Sequence, residues 1–218
     1  MIKFENIQVV GWEPAIRGMR NPMNSWEKSD SGYTDISYSD YVIGPADYDL
    51  MMKLASNGPV HAKYRRMIVV YVDVTAPLYW WKEFDTYKVG TVANSCSTMH
   101  KIHAKEFTLE DFSIDHIDDD TKWVFERILE RLNICREAFN NSNDKDAWWQ
   151  MIQLLPSSYN QKRTVMLNYE VLAHIYPDRK NHKLDEWCNF CHWIGTLPYS
   201  ELITGIKQED LNYASRDI

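Results

Sequence analysis

The run Met67 to Val74, MIVVYVDV, constrains the fold of this chain more than any other stretch. Side chains branched at Cβ are stiff and pack well on a pleated surface, so the run predicts a buried strand. A helix is expected just before it, over Gly44 to Asn57. Pro45 fits a first helical turn, Asp47 and Asp49 suit the positive N-terminal end, and Gly58 closes the helix. Leu50, Met51 and Leu54 form its apolar stripe. Two more helical patterns lie downstream. Asp118-Asp119-Asp120 opens Thr121 to Phe139, with Trp123, Ile128, Leu132 and Cys135 or Phe139 at helical spacing. Asp144 or Asp146 opens the next, through Trp148, Trp149, Ile152 and Leu155, which ends before Pro156. Ile2 to Trp12 alternates loosely and reads as an edge strand. Together these elements predict an α/β fold, one domain with helices packed on a sheet.

Between the first strand and the first helix, Arg17 to Asp40 is rich in Asn, Ser, Asp and Gly and is expected to be a long loop or lid. Arg17 and Arg20 are its arginines, read as solvated in preference to a phosphate clamp. The net charge of −7 argues against a nucleic-acid polymer or an anionic membrane as partner. The only basic clusters singled out are Lys63-Tyr64-Arg65-Arg66 and Asp178-Arg179-Lys180, each enough for one phosphate. No apolar run approaches a membrane span. The opening MIKFENIQVVGWEP lacks the apolar core of a signal peptide, and the four cysteines do not form a disulfide framework, so a cytoplasmic setting is expected.

Cys188-Asn189-Phe190-Cys191-His192 matches the phrase that attaches haem covalently, but it lies inside a helical pattern. Positions i, i+3 and i+4 on one helix supply at most part of a zinc site even with His182. No metal site is expected, and Cys188 and Cys191 read as small apolar side chains in a helix interface. Nucleophile elbows and Gly-rich phosphate loops are absent.

The stretch with chemical potential is Ala76 to Ile102, APLYWWKEFDTYKVGTVANSCSTMHKI. Thr91, Asn94, Ser95, Cys96, Ser97 and Thr98 lie closer together than helix or strand periodicity explains. Such a run suits a ligand that needs many hydrogen bonds and a close backbone approach at Gly90. The bland alternative is a polar loop between two core elements.

This stretch resembles the signature of the flavin-dependent thymidylate synthases, which reads Arg-His-Arg, then spaced Ser, Asn-Glu, Ser and Arg-Tyr, after an Ala-Pro-aromatic segment. Ala76-Pro77-Leu78-Tyr79 opens the segment, Asn94 matches the Asn, Ser97 the second Ser, and His100 falls at the Tyr. Thr91 takes the first Ser with one residue inserted. The chain departs from the pattern at Tyr87-Lys88-Val89 for Arg-His-Arg, Ser95 for Glu and Met99 for Arg. A second patch follows the family in order and approximate spacing: Leu155-Pro156, Tyr159-Asn160, Arg163-Thr164, Leu167-Asn168, Leu172-Ala173-His174-Ile175, Arg179 and Asp185-Glu186-Trp187.

The resemblance implies a mixed sheet flanked by helices and a homo-oligomer, in the family a tetramer with sites between subunits. It implies methyl or one-carbon transfer to dUMP, with FAD, NADPH and methylene-tetrahydrofolate. The cofactors carry the chemistry, and the protein orients the base and binds the phosphate. The nucleotide-side positions would be Lys88, Thr91, Asn94, Ser95, Ser97, Thr98, His100, Arg163 and Arg179, with Lys101 a further cation. The flavin-side positions would be His61, Tyr87, Lys88 and Asn168. The altered Arg-His-Arg sets a second expectation beside the enzyme: a nucleotide-binding protein that kept the pocket and lost the reaction.

Overall fold

The computed structural model describes residues 1–34 and 41–205. The strands are β1 (Lys3–Val10), β2 (Gly32–Tyr33), β3 (Tyr41–Val42), β4 (Val69–Pro77), β5 (Val92–Ser95) and β6 (Asn160–Asn168). The α-helices are α1 (Trp12–Arg20), α2 (Pro45–Ser56), α3 (Leu78–Phe84), α4 (Asp119–Ser142), α5 (Lys145–Leu154), α6 (Tyr169–Arg179), α7 (Asp185–Gly195) and the short α8 (Glu201–Thr204). Four strands form one sheet in the order β1-β4-β6-β5, and β2 pairs antiparallel with β3 as a separate ribbon. The architecture is α/β, with β1 on an edge as expected.

The run that anchors the fold is β4. Val70, Val72, Val74 and Ala76 are buried on one face, while Tyr71 is 43% exposed on the other. The strand is therefore half-buried, where the sequence predicts burial throughout. The polar Asp73 and the hydroxyl of Tyr71 share the second face, and Asp73 Oδ1 accepts a hydrogen bond from Thr164 Oγ1 at 2.6 Å.

The chain divides into two compact units, each drawing on the strands of the sheet. The first comprises residues 1–5, 73–86 and 93–164. Its core joins Phe107, Phe112, Phe125, Leu129, Leu132, Cys135 and Met151 from α4, α5 and the segment before them. Asp118 and Asp144 cap α4 and α5, accepting from backbone N–H groups of their first turns. The apolar stripe of α4 is Phe125, Leu129, Leu132 and Cys135. Trp123, expected in that stripe, is 63% exposed, and Trp149 of α5 is 51% exposed. The i, i+4, i+7 series from Phe125 won because it faces α5, whereas Trp123 lies off that line. Trp80, Trp81 and Phe84 of α3 are buried together, and Trp81 Nε1 donates to Gln161 O at 2.9 Å.

The second unit comprises residues 6–72, 87–92 and 165–218. Here the sequence is misread at its start. The loop expected from Arg17 begins instead as the last turn of α1, whose Trp12, Ala15, Ile16 and Met19 are buried at i, i+3, i+4 and i+7. Gly18 inside the helix masked that period. Gly11 precedes α1 at φ 96°, and a Cβ there would sit 2.1 Å from Met67 O, so only glycine fits. Residues 35–40 of the expected loop lie outside the described residues.

What orders residues 21–33 is a carboxylate on α2. Asp47, fully buried, accepts from Arg20 Nε at 2.6 Å, from the hydroxyls of Ser29 and Ser31 at 2.7 Å each, and from the N–H groups of Asp30 and Ser31. Arg20 spends its other nitrogens on Ser25 O and Lys28 O. A second buried pair joins Arg65 Nε to Glu170 Oε2 at 2.8 Å, with Arg65 Nη1 donating to Leu202 O. Arg20 and Arg65 are thus structural, and neither is a solvated cation nor a free phosphate ligand.

Candidate functional site

The polar stretch singled out in the sequence begins in β5, the edge strand opposite β1, where Val92, Ala93, Asn94 and Ser95 are all exposed. Beyond it the loop is tied down. Cys96 N donates to Lys162 O at 2.9 Å, and Gln161 Nε2 donates to Cys96 O at 2.7 Å. Trp148 Nε1 reaches Met99 O at 3.2 Å. Ser97 Oγ accepts from the N–H groups of Met99 and His100 at 3.1 and 2.9 Å, closing a local turn.

Beneath this loop, wholly within the first unit, is a cavity of about 470 Å³. Its walls are Cys96, Ser97, Thr98, Lys101 and Lys105 from the loop side and Tyr159, Asn160, Gln161 and Lys162 from β6 and the residue before it. Three lysines thus join hydroxyl and amide side chains in one wall. Lys105 is paired with Asp111, and that hydrogen bond pushes its ammonium pKa up. Lys162 is held by Glu5 at 3.0 Å and Asp73 at 3.4 Å, with its pKa raised first by the Glu5 hydrogen bond. Lys101 is exposed and makes no ion pair among the described residues. Burial, and then the Asp111 charge, push the Tyr159 phenol up, so it is a neutral donor at any physiological pH. The arrangement offers hydrogen-bond donors, one uncommitted cation and an aromatic ring, which suits a small anion carrying a planar group.

The structure sorts the expected nucleotide-side residues. Ser97 and Thr98 line the cavity with Lys101. Asn94, Ser95 and His100 are exposed and do not line it, and the side chains of Asn94 and Ser95 make no hydrogen bond among the described residues. Arg163 is committed elsewhere: Nε donates to Gln161 Oε1, Nη1 to Asp85 Oδ1 at 2.7 Å, and the guanidinium lies 4.2 Å over the Trp81 ring. Lys105 was passed over as a surface lysine beyond the loop. Gln161 and Lys162 were missed, because only pairing of β5 beside β6 brings them to the loop. Their signal was the clustering of polar residues from Tyr159 to Thr164.

The remaining candidates belong to the second unit. Arg179 Nε donates to the Tyr87 hydroxyl at 2.8 Å and its guanidinium lies 4.5 Å over Trp187, which pins residue 87 to α6 and α7. Asn168 Oδ1 accepts from Val171 N at 3.0 Å and caps α6. Gly90, at φ 78°, comes close to this cap: a Cβ there would meet Val171 Cγ2 at 3.0 Å and Asn168 Nδ2 at 3.1 Å. The close approach expected at Gly90 is therefore made to the chain's own α6. Thr91 Oγ1 is buried without a hydrogen-bond partner. Lys88 and His61 are exposed.

Two substitutions separate ligand from turn. Ser97→Ala is expected to cost about 0.5–1.5 kcal/mol of stability, because its hydroxyl serves the backbone. Asn94→Ala should leave the thermal midpoint unchanged, since its side chain has no partner to lose. Differential scanning calorimetry of both variants checks this, and equal midpoints would overturn the assignment of Ser97 to the turn.

No family profile and no curated protein matches the chain. Solved structures do. A crystal structure of thymidylate synthase X (ThyX) from Helicobacter pylori with FAD and dUMP superposes with a TM-score of 0.69 at 14% identity, covering 94% of this chain and 97% of that one. A second ThyX structure from Helicobacter pylori, complexed with FAD and dUMP, gives 0.65 at 13% identity over 92% and 97%. The UMP/dUMP methylase PolB from Streptomyces cacaoi, bound with 5-Br dUMP, gives 0.58 at 13% identity over 94% and 96%. With coverage this high in both directions, the chain has the fold of the flavin-dependent thymidylate synthase ThyX.

Proposed function

We propose that this chain is a divergent thymidylate synthase-like enzyme that binds a pyrimidine deoxynucleotide, its phosphate received by the lysine-lined cavity under Cys96 to Thr98. The observation that carries the reading is that cavity, with Lys101 uncommitted beside Tyr159, in a fold whose solved examples hold dUMP or a bromo derivative of it. Methyl or one-carbon transfer to dUMP is the reaction this reading assigns. Lys101 would receive the phosphate as a point charge, and Tyr159 would present its hydroxyl or ring to the sugar or base. Asn94 and Ser95, exposed on β5, are assigned to ligand contacts of the assembled protein.

FAD is present in the ThyX structures. The residues here fit it poorly. Of the four flavin-side positions, Tyr87 is bonded to Arg179 and Asn168 caps α6, which leaves exposed His61 and Lys88. One lysine is a weak donor set for a diphosphate, and NADPH and methylene-tetrahydrofolate enter only with the family reaction. The same observation favours the second reading, a nucleotide-binding protein without the reaction.

Absorbance and calorimetry on the purified protein decide between them. Flavin bands, with FAD retention lost in Lys88→Ala more than in Lys101→Ala, support the enzyme. Colourless protein that takes up no added FAD yet binds dUMP supports the binder. Protein that binds neither FAD nor dUMP overturns both.

A homo-oligomer, tetrameric as in the resembling family, belongs to this proposal. The fully exposed β5 and the exposed Ile7 and Val10 of β1 support it, since edge strands of this kind seek partners. Light scattering at micromolar concentration is expected to give a mass above that of the 25.8 kDa chain, and a strict monomer would remove this part.

A further inference from the structure

A second cavity, of about 360 Å³, lies within the second unit and uses none of the residues of the lysine-lined one. Four aromatic rings surround it: Trp12 at the start of α1, Tyr33 of β2, Tyr41 of β3 and Tyr199 before α8. Tyr33 and Tyr41 meet edge to face at 5.0 Å, and Trp12 and Tyr199 meet in the same way at 5.3 Å. Among the described residues Glu13 is the only charged one in the wall. Its Oε2 accepts from the Tyr33 hydroxyl at 3.2 Å, so the carboxylate is fixed beside the rings.

The backbone is bent to make this wall. Tyr199 adopts φ 51°, a left-handed conformation that a bulky residue rarely takes, and its hydroxyl accepts from Ile43 N at 3.3 Å. Strain of this kind persists where the surroundings over-determine it, and it gathers at ligand sites. The charge that the described wall carries, at Glu13, is negative. Burial pushes the Tyr41 phenol up, and the carboxylates of Asp47 and Glu13 push it further in the same direction. Aromatic faces carry negative potential as well, and rings set around a cation are how proteins recognise ammonium groups. Anions are repelled by the same groups.

We propose that this cavity binds a small organic ammonium ion, with the cationic head among the Trp12, Tyr33, Tyr41 and Tyr199 rings and Glu13 as its counterion. The local competitor is Arg17. Its Nη1 lies 3.6 Å from Glu13 Oε1 and its side chain is 65% exposed, so it is a loosely held cation that a ligand can displace.

The test is calorimetric titration of the full chain with choline and, in parallel, with 3,3-dimethylbutan-1-ol, which has the same shape without the charge. Choline is expected to saturate with millimolar or tighter affinity, and the neutral alcohol to bind at least tenfold more weakly. Glu13→Gln and Tyr41→Leu should each weaken choline at least fivefold, with folding confirmed by calorimetric unfolding. Arg17→Ala, a substitution on an exposed side chain, should tighten choline by freeing Glu13. The proposal is overturned if choline does not saturate or the neutral alcohol binds equally well. It is likewise overturned if choline affinity is unchanged in Glu13→Gln, or fails to rise in Arg17→Ala.

Discussion

Asp47→Ala is expected to destabilise the protein by about 3–5 kcal/mol, because it leaves the Arg20 guanidinium buried without its counterion. For a chain of this size that corresponds to a fall of roughly 6–20 °C in the thermal midpoint. The effect is large because one carboxylate gathers five donors. It satisfies Arg20, two serine hydroxyls and two backbone N–H groups, and through them it orders the chain from Ser25 to Ser31. Burial acts to raise the pKa of Asp47, but the hydrogen bonds from Ser31, Ser29 and Arg20 outweigh it and hold the carboxyl below its ordinary value. A depressed carboxyl adds stability above its unfolded pKa of about 4, and that stability is lost as the pH falls through the folded value. The gap between parent and variant should therefore be full at neutral pH and shrink below about pH 4. Urea unfolding at pH 7 and at pH 3 measures both, and a cost under about 1 kcal/mol at pH 7 would show that the network is not what holds this segment.

Lys101→Ala is expected to weaken dUMP binding by roughly 10- to 100-fold with no change in the thermal midpoint. A hydrogen bond from a charged donor contributes about 1.5–3 kcal/mol, and each 1.4 kcal/mol is a factor of ten in affinity. Lys101 has no ion pair among the described residues, so its removal strands no partner. Lys105→Ala should differ, lowering the midpoint because Asp111 loses its partner. Calorimetric titration with dUMP and with deoxyuridine isolates the phosphate. The parent should prefer dUMP, and Lys101→Ala should lose most of that preference. Equal affinity for the two ligands in the parent protein would mean that the cavity is not a phosphate site.

Local pattern carried much of the fold. The β-branched run became β4, the Pro45 and Gly58 signals bounded α2, and the aspartates at 118 and 144 capped α4 and α5. These features lie within a few residues of one another and act through backbone preference and one-turn geometry, so they survive without knowledge of the rest of the chain. The polar run from Asn94 to Thr98 also stood out as more than a connector, and part of it does line a cavity.

What the sequence left open was the commitment of each polar side chain. Arg17 and Arg20 look alike in the chain, yet one is solvated and the other buried against Asp47. Arg163 and Arg179 read as phosphate ligands, yet each is spent on aromatic rings and a neighbouring side chain. Lys105 and Lys162 carried no special mark, yet they line one cavity with Lys101. A cation's role is set by the partner nearest to it, and that partner is generally tens of residues away in the chain: Asp47 for Arg20, Asp85 for Arg163, Tyr87 for Arg179. Sequence determined which segments form helices and strands, through local sterics and hydrophobic period. Tertiary structure alone decided which charges are neutralised in place and which remain for a ligand, because Coulomb and hydrogen-bond energies depend on distances that only the packed chain fixes.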